Sequence, residues 1–141
     1  MKDERRRLLR LRRLEKIRAL AKQTAAIEAA QAESTLSRLH ELANRTRQMA
    51  NDYGHRREMT DGAALHQVGR FVSGLQTISQ STQGDALRAR SIADAKQQLL
   101  AEAERRRAAV EDRAALQERA IARRDRVPAL GGRKASGTGL E

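Results

Sequence analysis

From Asp3 to about Tyr53 the chain contains neither glycine nor proline, and apolar or small residues return every three or four positions. Ile17, Leu20, Thr24 and Ile27 form one such series; Leu36, Leu39, Ala43, Thr46, Ala50 and Tyr53 form another. Period near 3.6 predicts a helix. The two series are out of register and meet in the alanine-rich AAIEAAQAE, which predicts one helix whose apolar seam slips in its middle.

A longer series follows. Val68, Phe71, Leu75, Ile78, Thr82, Asp85, Ala89, Ile92, Lys96, Leu99, Ala103, Arg106 and Val110 occupy successive a and d positions of a heptad. Thr82, Asp85, Lys96 and Arg106 are polar interruptions that weaken a seam while fixing its register. Gly69, Gly74 and Gly84 soften the start of this helix by about 1 kcal/mol each relative to alanine. Between the two periodic stretches lies DYGHRREMTDGAAL, where Gly54 and Gly62 can end or bend a helix and Thr60 or Asp61 can cap the next one.

The pattern therefore predicts an all-α chain, a long antiparallel two-helix coiled-coil hairpin over residues 1–127. Its helices are expected at about 3–54 and about 64–126, with a turn at about 55–63. A tail rich in glycine and small polar residues, 128–141, is expected to be disordered. Composition agrees: one Tyr, one Phe, no Trp, a single proline (Pro128) and much alanine supply little area for a multilayer core.

Charge adds a direction to this hairpin. Residues 1–16, MKDERRRLLRLRRLEK, carry eight Lys or Arg against three acids; residues 105–126 carry eight Arg against four. Residues 17–104 are nearly balanced, with eleven basic and ten acidic side chains. In an antiparallel hairpin the two basic stretches lie side by side, so one end is expected to hold most of the formal charge of +11. Such an end suits nucleic-acid phosphate, since counterion release is sequence-independent, but aromatics for base stacking are nearly absent. It also suits an anionic membrane surface, although Leu8, Leu9, Leu11 and Leu14 make a narrow apolar face. An acidic groove or ring on another protein would accept it as well, and a plainly solvated helix face would look the same.

Chemistry is not encoded in recognisable form. There is no phosphate-binding G-x-x-x-x-G-K-[ST], no cysteine, and His40, His55 and His66 are scattered. Ser34, Ser73 and Ser91 have no base within a shared turn. Glu41, Asp52 and Glu102 stand four residues before Arg45, Arg56 and Arg106, the spacing of structural helix pairs. No apolar run reaches the ~20 residues needed to span a bilayer, and no apolar signal core follows the basic start, so a cytoplasmic, non-enzymatic protein without cofactor, metal or small-molecule substrate is expected.

The stretches LLRLRRLEKIRAL, QMANDYGHR, HQVGRFVSGLQTI and ALQERAIARR together resemble the flagellar type III export protein FliJ family, to which the injectisome stalk protein YscO is related. The most specific piece is FVSGLQTI, just past the hairpin tip. The resemblance implies a stalk similar to the rotor shaft of rotary ATP synthases. Its terminal end inserts into the hexameric export ATPase, and the part near the tip contacts the export gate's large membrane protein and binds substrate-specific export chaperones. Placement at the cytoplasmic face of the inner membrane follows from the same resemblance. By position, Phe71, Leu75 and Ile78 match the gate-contacting patch, with Ile78 where the family often carries a smaller residue.

On this reading the ring-facing collar is Arg5, Arg6, Arg7, Arg10, Arg12 and Arg13 with Arg105, Arg106, Arg107, Arg119, Arg123 and Arg124. Electrostatics would orient such a collar without shape-locking it. A basic nucleic-acid-binding coiled coil and a general helical chaperone or scaffold are the alternative functions. The same periodicity also admits a long parallel dimer.

Overall fold

A computed structural model describes residues 2–55 and 62–134, with side chains as far as residue 126. Helix α1 spans Lys2–Gly54 and α2 spans Gly62–Lys134. The two pack against each other antiparallel, and no strand occurs among the described residues. The chain divides into two compact units, a terminal unit (Met1–Ala25 with Leu100–Glu141) and a hairpin unit (Ala26–Leu99).

In the hairpin unit the seam is made of small side chains. Ala29, Ala43, Thr46 and Ala50 of α1 are buried, as are Leu75, Ser79, Thr82, Ala86, Ala89 and Ala93 of α2. Small residues let the helices approach closely, and Ser79 Oγ donates across the gap to the carbonyl of Ala43 at 3.3 Å. The buried hydroxyls of Thr46 and Thr82 donate back to the carbonyls of Leu42 and Ile78, both at 2.8 Å. Those bonds satisfy polar groups that would otherwise be costly to bury. Lys96 Nζ reaches Glu28 across the pair at 3.1 Å.

The terminal unit is closed differently. Among the described residues there only Val110 and Ala114 are buried, while Leu8, Leu11, Glu15, Arg18 and Lys22 of α1 sit half-buried along the seam. Cross-helix ion pairs join Glu4 to Arg124, Arg5 to Asp125 (3.9 Å), Arg12 to Glu118 (2.7 Å) and Lys22 to Glu104 (2.7 Å). Exposed pairs contribute at most about 1 kcal/mol each, so they set the register of this unit more than its stability. Arg18 Nε and Glu4 Oε2 are buried without a hydrogen-bond partner.

These seams correct the sequence reading in two places. On α1 the half-buried and buried positions keep one heptad register from Glu4 to Tyr53, with no slip. Polar Glu15, Arg18 and Lys22 hold the seam, and Ile17 and Leu20 turn outward, 62% and 63% exposed; Ile27 is exposed too. On α2 the a positions Val68, Leu75, Thr82, Ala89, Lys96, Ala103 and Val110 do face the seam, but the d positions do not. Their place is taken one residue later by Val72, Ser79, Ala86, Ala93, Leu100 and Arg107, and Phe71, Ile78, Ile92 and Leu99 are exposed beside it. Asp85 and Arg106 leave the seam as well and pair with Arg88 and Glu102 along their own helix. A close-packed interface of alanine and serine has no room for the bulkier set.

The ends differ also. α2 continues through Pro128 to Lys134, past the predicted stop near 126. A proline removes a single backbone donor, and a helix can resume beyond it. The rest of the predicted tail, 135–141, lies outside the described residues, as do the turn at 56–61, the capping residues Thr60 and Asp61, and Arg56. No described residue has a positive φ, so Gly54 closes α1 without a left-handed cap.

Candidate functional site: an arginine collar and an apolar flank

The collar lies entirely within the terminal unit, and ion pairing divides it. Arg5 and Arg12 of α1, with Arg106, Arg107 and Arg124 of α2, are engaged with carboxylates. Arg107 is the most committed. It donates through Nε and Nη2 to Glu104 at 2.9 and 2.8 Å and through Nη1 to Glu111 at 2.7 Å, one and the same guanidinium holding both acids. Glu104 also receives Lys22 from the opposite helix. Hydrogen bonds from Arg107, then Lys22, hold the Glu104 carboxyl down to about 2, and the Arg107 guanidinium is raised in turn by Glu104 and Glu111. Arg12 is raised chiefly by its hydrogen bond to Glu15. These arginines fasten the unit.

The remaining collar residues have no carboxylate within ion-pair reach among the described residues: Arg6, Arg7, Arg10, Arg13, Arg105, Arg119 and Arg123, all exposed. Lys16, Arg113 and Arg126 share that condition and were not singled out from sequence. Among the described residues of this unit, every acid except Asp3 and Asp112 is already in an ion pair. The unit therefore presents cations on its surface with little anionic relief, the condition for a long-range positive field. Two signals separate the sets: Arg5, Arg12 and Arg124 reach an acid on the partner helix, and Arg106 and Arg107 have an acid three or four residues away on their own.

The second candidate lies in the hairpin unit. Phe71 is 46% exposed and meets Tyr53 edge-on, with ring centroids 5.0 Å apart and planes at 81°. Ile78, one heptad on, is 52% exposed, whereas Leu75 is buried in the seam and braces the patch from beneath. Met49 and Leu42 are exposed on α1. They stand three residues past seam positions Thr46 and Leu39, the same offset by which Ile78 and Phe71 follow Leu75 and Val68. In an antiparallel pair equal offsets fall on the same side, so Leu42, Met49, Phe71 and Ile78 form one apolar flank. The opposite flank is a polar groove lined by Arg47, Asn51, Gln76, Gln80 and Gln83. Sequence reading placed Phe71 and Ile78 here but missed Leu42 and Met49, because their α1 register was read only for the seam.

No group of three or more metal-ligating side chains occurs among the described residues, and no described helix is long and apolar enough to cross a membrane. Fold and surface together define a class: an all-α antiparallel two-helix protein with a cationic terminal unit and an apolar flank in its hairpin unit. No family model, curated protein or solved structure matches the chain.

Proposed function

We propose that this chain is a non-enzymatic stalk component of a flagellar-type protein export apparatus. Its terminal unit enters the acidic-walled ring of the hexameric export ATPase, and its apolar flank contacts the export-gate membrane protein. The observation that carries the proposal is the division of the collar, since the paired arginines are already engaged with carboxylates of the unit and Arg6, Arg7, Arg10, Arg13, Arg105, Arg119 and Arg123 are left for an external anionic partner. A ring with electronegative inner loops is such a partner, and exposed arginines on both helices can meet it from several directions. Phe71 and Ile78, with Leu42 and Met49 beside them, give the gate contact a larger apolar area than the resemblance alone implied. Export chaperones remain further partners on this reading, at the cytoplasmic face of the membrane.

The test is genetic and biochemical together. In a strain lacking the native gene, Phe71→Ala with Ile78→Ala is expected to lower export at least several-fold while the purified variant keeps its helix content. Unchanged export would remove the gate assignment. Exposed arginines also suit nucleic-acid phosphate, so a DNA titration accompanies the ATPase assay described at the end of the Discussion.

A further inference from the structure

Cations and apolar side chains coincide on one surface of the terminal unit that the stalk reading does not use as a whole. Arg6, Leu9, Arg10, Arg13, Lys16, Ile17 and Leu20 follow one another at spacings that keep them on the side of α1 turned away from the seam. Leu9, Ile17 and Leu20 are about three-fifths exposed, although each is large enough to fill a core. The four cations have no ion-pair partner among the described residues, and the one acid within this span, Glu15, is half-buried at the seam and bound to Arg12. On α2 the corresponding outer surface of the unit has one exposed leucine, Leu116, and carries the unpaired Asp112. Unpaired arginines stand on both helices of the unit, but exposed apolar bulk is concentrated on α1, where it lies among the cations.

We infer that this face of α1 binds an anionic lipid surface, lying in the interface with Leu9, Ile17 and Leu20 among the upper acyl chains and the cations against headgroup phosphates. Four unpaired cations on an amphipathic helix fall in the range that recognises anionic leaflets. Each contributes about fivefold in partitioning, and apolar side chains add a salt-resistant part. Interspersed rather than segregated cations suit a fluid headgroup layer. Phosphates there move to each guanidinium, and the long stems of Arg and Lys lie along apolar surface while their heads reach outward. The inference shares Arg6, Arg10 and Arg13 with the ring-facing set of the export reading, but it turns on Leu9, Ile17 and Leu20 and is read without any ATPase, so either can fail alone.

The chain contains no tryptophan, so Leu20→Trp and Leu116→Trp each install a sole tryptophan in the full-length protein, excited selectively at wavelengths where Tyr53 does not absorb. With vesicles of equal phosphatidylglycerol and phosphatidylcholine, the tryptophan at 20 is expected to shift to shorter wavelength and the one at 116 to stay in water. Phosphatidylcholine alone should shift neither. Substituting Leu9, Ile17 and Leu20 together by serine, all at exposed sites, should abolish the vesicle binding that survives high salt in co-sedimentation, with helicity unchanged. Substituting Arg10 and Arg13 by glutamine should lower low-salt binding by more than tenfold. The inference is overturned if the tryptophan at 20 does not shift, if both tryptophans shift alike, if the serine variant binds as the parent does, or if polyglutamate shifts the tryptophan at 20 and the vesicles do not.

Discussion

Single residues in this protein are assigned by how far they stand from the seam, and that separates side chains that composition would pool. Ile92 and Ala93 are neighbours in sequence, yet Ala93 is fully buried and Ile92 is mostly exposed. Ala93→Leu is therefore expected to overpack the seam and cost about 1–3 kcal/mol, and Ile92→Ala to change stability by less than about 0.5 kcal/mol. Urea unfolding of the two variants checks this directly; the reverse order would restore the register that apolar bulk suggests. Glu104 is the corresponding case among charges. Its carboxyl is held well below its ordinary value of 4.5, to about 2, by Arg107 and Lys22. A depressed folded-state value means that its contribution is complete above about pH 4.5 and is lost as pH falls towards 2. Thermal melts over that acid range should fall less steeply for Glu104→Gln than for the parent. Because the group is solvent-exposed, screening keeps the difference small.

The helices themselves were legible from the chain. A glycine-free and proline-free run with a 3.6 period could form little else, and the antiparallel pairing followed from a short link between two long amphipathic segments. Register was less legible. Weighting positions by apolar size selected Ile17, Leu20 and Ile27 on α1 and Phe71, Ile78 and Ile92 on α2, all of which are exposed. The helices instead pack their smallest residues, and the half-buried Glu15, Arg18 and Lys22 fill seam positions because each has a stem that covers apolar surface. Periodicity cannot distinguish these solutions, since a stripe one residue away has the same spacing. What does decide is which stripe lets both helices approach. The glycines of α2 give an element-scale prediction. Gly69 and Gly74 are helical and a Cβ at either would meet nothing within 4 Å. Gly74→Ala should therefore stabilise the protein by about 0.4–1 kcal/mol through helix propensity and a less flexible unfolded chain. A loss of stability in urea would mean that this stretch of α2 is not helical in solution.

At the scale of the whole molecule, the segment charges in the sequence already indicated a basic end, but not which arginines are spent. Two arginines one residue apart, Arg12 and Arg13, differ completely: the first bridges Glu15 and Glu118, the second has no carboxylate within reach. Cross-helix register gives Arg5, Arg12 and Arg124 their partners and acids on the same helix give Arg106 and Arg107 theirs, so twelve arginines read as one collar become five engaged with carboxylates and seven that face outward. Function on this account depends on the second group. Its most direct test is the ATP turnover of the purified export ATPase with the parent protein and with two variants. One reverses Arg10, Arg13, Arg119 and Arg123 to glutamate; the other replaces the paired Arg12 and Arg106 by glutamine. The account predicts stimulation by the parent that weakens as salt is raised, its loss in the first variant and its retention in the second, with helix content alike in all three. Absence of stimulation by the parent, or equal stimulation by the charge-reversed variant, would contradict it, and tight salt-sensitive DNA binding in the same preparation would place the protein among nucleic-acid binders.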